Sequence, residues 1–267
     1  MAVEEDVSEV DALKRLLANA NSEYLDLLVD YITDGGKGRV MLSAANCKAL
    51  VQAKADGEYS EAQLELLISE LLHFGGNSIA NLWRSEGAPW ASIVVDVLDH
   101  LRGKREDGDS IIELERRVLV QLLRHFWSKL SGAELEPLCE VLKVNGMPDK
   151  DQLEVLRQAV MGATEVGTTL AKILAASMAS STFGASAAFT GLSWGGAAAG
   201  VAQFAAGRGV SVALGPIGLA LGGIWGAYSL TGPAFRVTVP CVVLIALIRL
   251  EARDLGLSLI HISEPTR

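Results

Sequence analysis

Leucines recur at helical spacing from the start of the chain. DALKRLLANA places Leu13, Leu16 and Leu17 together, and NSEYLDLLVDYIT does the same with Leu25, Leu28, Val29 and Ile32. Apolar residues three and four apart share one helix face, so both segments are predicted to be amphipathic helices. Asn21 or Ser22 is expected to cap the second, and Asp34-Gly35-Gly36 to end it. After GGKGR, the run SAANCKALVQAK reads as a third helix. Ser60-Glu61 opens SEAQLELLISELLHF, whose Leu64, Leu67, Ile68, Leu71 and Leu72 form one face. Gly75-Gly76 should stop that helix by taking the left-handed cap conformation. Asn77 is expected to cap NSIANLWRSEG, and Pro89 suits the first turn of PWASIVVDVLDHLRG. The charged loop GKREDGD leads into SIIELERRVLVQLLRHFWSKL, and residues 134–144 and 149–172 predict two more helices. Strand-like alternation is scarce, so the fold class is all-α.

Beyond Lys172 the pattern changes from amphipathic to uniformly small and apolar. Residues 173–207, 209–235 and 237–248 are uncharged runs of 35, 27 and 12 positions. A membrane-crossing helix needs about 20 apolar residues, so only the first two runs are long enough. In GLALGGIWG, Gly218, Gly222 and Gly226 recur every fourth residue and leave a groove in which another backbone can approach closely. GGAAAG at 195–200 supplies a mate, which predicts a small-residue apolar helical hairpin. Glycine costs about 1 kcal/mol per position inside a helix, so close packing has to offset it. The final apolar helix, VTVPCVVLIALIRL, is expected either to dock back on the polar part or to skim an interface.

Charge sharpens this division. The net charge of −9 disfavours nucleic acid as a partner, because phosphate binding needs a basic face. Between 166 and 250 there is no acid, and the only basic residues are Lys172, Arg208, Arg236 and Arg249. Those three arginines are expected to meet lipid headgroups or pair with acids of the N-terminal part. Cys47, Cys139 and Cys241 form no CxxC, so a zinc site or disulfide framework is not supported and a reducing compartment fits. The acidic start lacks the features of a signal peptide. The expected organisation is a small helical module at 1–56, an acidic helical domain at 57–165 and the Gly/Ala-rich region at 166–256. Residues 257–267, LSLIHISEPTR, resemble the translation of a sequencing-library adapter, which removes His261 from consideration.

Two segments, ELLHFGGNSIANLWRSEG with VVDVLDHL, and GPAFRVTVPCVVLIALIRL, resemble the YaaW-type family of uncharacterised bacterial proteins. The most specific block is HFGGNSIAN, comprising His73, Phe74, Gly75, Gly76, Asn77, Ser78 and Asn81 among its residues. That family is grouped distantly with ubiquinol–cytochrome c chaperones. The resemblance implies a helical fold and a chaperone-like role, with no catalytic residues to carry over.

Catalytic constellations are weak. GLSWG at 191–195 has the GxSxG spacing, but no histidine other than that of the adapter-like tail follows Ser193, so a hydrolase is set aside. Glu70 and His73 form one ExxH, with Asp96 and His100 an i,i+4 pair, whereas a di-metal bundle needs two ExxH motifs and two more carboxylates. HFGGNSIAN reads first as helix stop, turn and helix start. GGKGR departs from the phosphate-loop pattern at Tyr31 and Gly38 and reads as a helix-ending turn. The leading expectation is a non-enzymatic, membrane-associated interaction or assembly protein at the inner face of the cytoplasmic membrane. It would use no cofactor, and its apolar C-terminal region would contact lipid, a protein partner or a second copy. A soluble chaperone-like binder with a buried hairpin, and a metal enzyme at Glu70, His73, Asp96 and His100, are the alternatives.

Overall fold

The computed structural model describes residues 8–75, 87–129 and 234–254. Among the described residues the chain is all-α. The helices are α1 Glu9–Ala18, α2 Ser22–Thr33, α3 Ala44–Asp56, α4 Glu61–Phe74, α5 Trp90–His100, α6 Ile111–Lys129 and α7 Phe235–Asp254. Their starts follow local chemistry. Ser8, Asn21, Ser43 and Ser60 each accept a hydrogen bond from a backbone N–H of the first turn, and Ser60 with Gln63 forms a reciprocal capping box. Such caps contribute about 1 kcal/mol each.

The chain divides into two compact units, Met1–Val97 with Ala234–Arg267, and Leu98–Pro233. In the first unit α1 packs on α4, and α2 on α3 and α4, through the predicted leucine stripes. Glu9 of α1 also accepts a hydrogen bond from the Ala91 N–H at the start of α5, 3.3 Å away. α7 docks back rather than skimming an interface. It packs against α2, α4 and α1, and Val237–Ile248 are buried without a break. A helix that is apolar all round belongs in a core or a membrane, and this run finds its apolar surroundings inside the unit. Among the described residues no helix is long and apolar enough to cross a membrane. Residues 173–207 and 209–233 of the two longer uncharged runs, with Gly218, Gly222, Gly226 and Arg208, lie outside the described residues.

In the second unit the described part is 98–129. Arg117 of α6 bridges Glu106 and Asp109 of the charged loop at 2.9 Å each. Gln121 donates to the carbonyl of Leu101 at 3.1 Å, which ties the loop to the helix.

Candidate functional site

The described part of the HFGGNSIAN block, His73 to Gly75, is built for packing. Phe74 is buried, while His73 is exposed and its Nδ1 lies 2.6 Å from the Ser69 carbonyl of its own helix. Gly75 caps α4, but with φ −70° and ψ −10°, in the right-handed region and not the left-handed one expected. The need for glycine is steric: a Cβ there would run into the Ile93 side chain of α5. At the far edge Gly87 does take a left-handed φ of +75°, and a Cβ would press on the Leu72 backbone at 3.0 Å. Gly76, Asn77, Ser78 and Asn81 lie outside the described residues.

The ExxH alternative does not assemble. Glu70 is buried and accepts a hydrogen bond from Asn46 Nδ2 at 2.6 Å. Asp96 is exposed, and burial lowers the pKa of His100. No group of three or more His, Cys, Asp or Glu is placed to hold a metal ion among the described residues.

The feature that sequence reasoning treated as a turn and nothing more is GGKGR. Asp34, Gly35, Gly36 and Gly38 all adopt positive φ, and the chain reverses between α2 and α3. Arg39 folds back and donates to the carbonyls of Tyr31 and Ile32 at 2.9–3.2 Å, capping α2, while its guanidinium lies 3.7 Å from Asp34. Lys37 and Lys48 remain exposed beside a shallow groove of about 620 Å³, lined also by Leu42, Cys47 and Val51. At the tip Val40 is wholly exposed and Met41 is 65% exposed. The signal was present in the sequence: two apolar residues directly after a Lys-Gly-Arg turn, outside any helical period.

α2 and α7 run antiparallel, which gives this loop a definite end of the first unit. Burial lowers the Arg39 pKa, and Asp34, Cys241 and Arg236 then act on it, so the loop lies beside the start of α7. At the other end Tyr24 is hydrogen-bonded to Glu251, and its hydroxyl pKa rises through burial and that carboxylate. Arg236 and Arg249 are thirteen residues apart, about 20 Å along the helix axis, and so mark opposite ends of α7.

Glu23 belongs to the Glu251 end. One of its oxygens is buried without a hydrogen-bond partner, and burial, then Asp26 and Glu251, push its pKa up to about 7 from 4.5. Between those values the folded state binds the extra proton, so stability from this group falls as pH rises through the window. Glu23→Gln is expected to stabilise the chain at pH near 8, by about 1 kcal/mol after allowing for solvent screening. It should change little at pH near 5. Urea melts at the two pH values check this.

Curated relatives point one way. The chain is 32% identical over 196 residues to a UPF0174 protein of Helicobacter pylori, covering 70% of this chain and 88% of the relative. It is 29% identical over 239 residues to the UPF0174 protein YaaW of Escherichia coli K12, covering 87% and 91%. No family model matches, and no solved structure matches. The chain belongs to the UPF0174 family, as the resemblance in HFGGNSIAN and the C-terminal helix implied.

Proposed function

We propose that this UPF0174 family member is a non-enzymatic, membrane-associated helical protein of interaction or assembly type, held at the inner face of the cytoplasmic membrane by its Gly/Ala-rich segment. One observation carries the reading. α7, which follows the uncharged run 209–235, packs into the same unit as α1–α4, which precede the run 173–207. A segment whose two flanks fold together crosses a bilayer an even number of times. The runs of 35 and 27 uncharged residues supply two crossings.

The small-residue faces predicted for a hairpin of these runs then have a use. Gly218, Gly222 and Gly226 let two helices approach closely in lipid, where packing replaces the hydrophobic drive. Arg208 separates the two runs in sequence, and a long cationic side chain between two crossings reaches headgroups. The assembly role follows from the resemblance to a family grouped distantly with ubiquinol–cytochrome c chaperones.

The test combines extraction with sidedness. The full chain is expected to float with membranes and resist carbonate. Cysteines placed at exposed Asp11 and Arg253, in a background with the native cysteines replaced by serine, are expected to label from the same face of sealed vesicles. Recovery in the soluble fraction without detergent, or labelling from opposite faces, overturns the reading.

A further inference from the structure

We propose that the loop between α2 and α3 is a docking surface for an anionic bilayer, with Val40 and Met41 entering the headgroup layer and Lys37, Lys48 and Arg236 facing lipid phosphate. The proposal rests on the membrane-associated reading and adds the face by which the helical unit lies on the lipid. Three observations converge on it.

The first is exposure. Val40 and Met41 are fully or largely exposed, and Val51 beside the groove is exposed as well, although the chain buries comparable residues elsewhere in the unit. Adjacent exposed apolar side chains mark an interaction surface more often than scattered ones do. Positive φ at Gly36 and Gly38 sets the chain on either side of Lys37, and the Arg39 cap fixes the loop from below. The tip is therefore presented on a braced turn.

The second is charge. Lys37, Lys48 and Arg236 are exposed cations at this end, and the loop's own acid, Asp34, is engaged by Arg39. The chain as a whole carries −9. The opposite end of the same helix pair sets Glu23, Asp26 and Glu251 beside Arg249 and Arg253, so acids and bases offset one another there. A unit whose cations gather at the loop end orients with that end toward an anionic leaflet.

The third is chain geometry. Arg236 lies in the first turn of α7, immediately after the uncharged run 209–235. The basic, apolar-tipped end is therefore the end at which the Gly/Ala-rich segment joins the unit, and the bilayer is the occupant already nearest to it. Cations on an apolar-tipped loop suit an anionic lipid surface, where the apolar part inserts and the charges stay at the phosphates.

The full chain, reconstituted in vesicles of phosphatidylcholine alone or doped with phosphatidylglycerol, is read by amide hydrogen exchange across 36–42. Exchange is expected to slow tenfold or more on the doped vesicles only. The effect should shrink in high salt and vanish in the Lys37→Glu/Lys48→Glu variant, both lysines being exposed. Val40→Asp/Met41→Asp should abolish the protection as well, and circular dichroism of each variant verifies the fold. Unchanged exchange in a chain that still floats overturns the docking surface and leaves membrane association standing. Failure to float removes both. Protection by polyglutamate without lipid, and none by the doped vesicles, overturns the lipid assignment in favour of an acidic protein partner.

Discussion

Leu244→Asp is expected to unfold the first helical unit outright. Leu244 is fully buried midway along α7, with Val243 and Ile245 buried on either side. Truncating such a leucine to alanine costs about 2–5 kcal/mol, and burying an unpaired carboxylate costs more still. Whole domains of this kind have only about 5–15 kcal/mol in hand. α7 packs on three other helices of the unit, so its loss exposes their leucine faces together. Limited proteolysis should find cleavage opening within 8–75, with a matching fall in helical dichroism. Arg253→Asp, at an exposed position near the end of the same helix, should stay within about 0.5 kcal/mol of the parent. Protease resistance of 8–75 that survives Leu244→Asp would mean that α7 is dispensable to the unit. An even number of bilayer crossings would then no longer follow from the fold.

That dependence of distant residues on one another marks the limit of what the pattern of residues revealed. α1, α2 and α4 were legible through leucines three and four apart, and α2 also through Asn21 at its start and Asp34-Gly35 at its end, whereas α3 buries one leucine, Leu50, between Cys47 and Ala53. α7 carried no such direction. Its run from Val237 to Ile248 is apolar on every face, so periodicity cannot tell a protein core from lipid, and only the packing against α2, α4 and α1 decides. The GGKGR turn was read correctly as a helix end. What local reasoning missed is that Arg39 reaches back to the carbonyls of Tyr31 and Ile32, leaving Lys37 as the outward charge. Capping from downstream depends on the whole turn's path and has no fixed spacing. The basic character of the loop end, where Arg236 joins Lys37 and Lys48, likewise exists only once α2 and α7 lie antiparallel.

Gly75→Ala sets two physical effects against each other, and its sign identifies which governs the family block. Gly75 has an ordinary helical φ of −70°, so by conformation alone alanine should stabilise the end of α4 by up to about 1 kcal/mol. Packing argues the other way. The added methyl would overlap Ile93, which is 1% exposed and held in the core by its neighbours. Overfilling a tight core costs about 1–3 kcal/mol. Packing wins, and urea melts should show Gly75→Ala destabilised. The decisive step is the second mutation. Ile93→Ala removes the two side-chain carbons that the new methyl meets, and on its own should cost about 2–5 kcal/mol. In that background Gly75→Ala should become neutral or stabilising, a coupling of at least about 1 kcal/mol in a double-mutant cycle. Additive effects would mean that Gly75 is required for something other than the approach of α5. The same cycle at Gly87 would not separate the effects, because its φ of +75° penalises alanine even with space cleared.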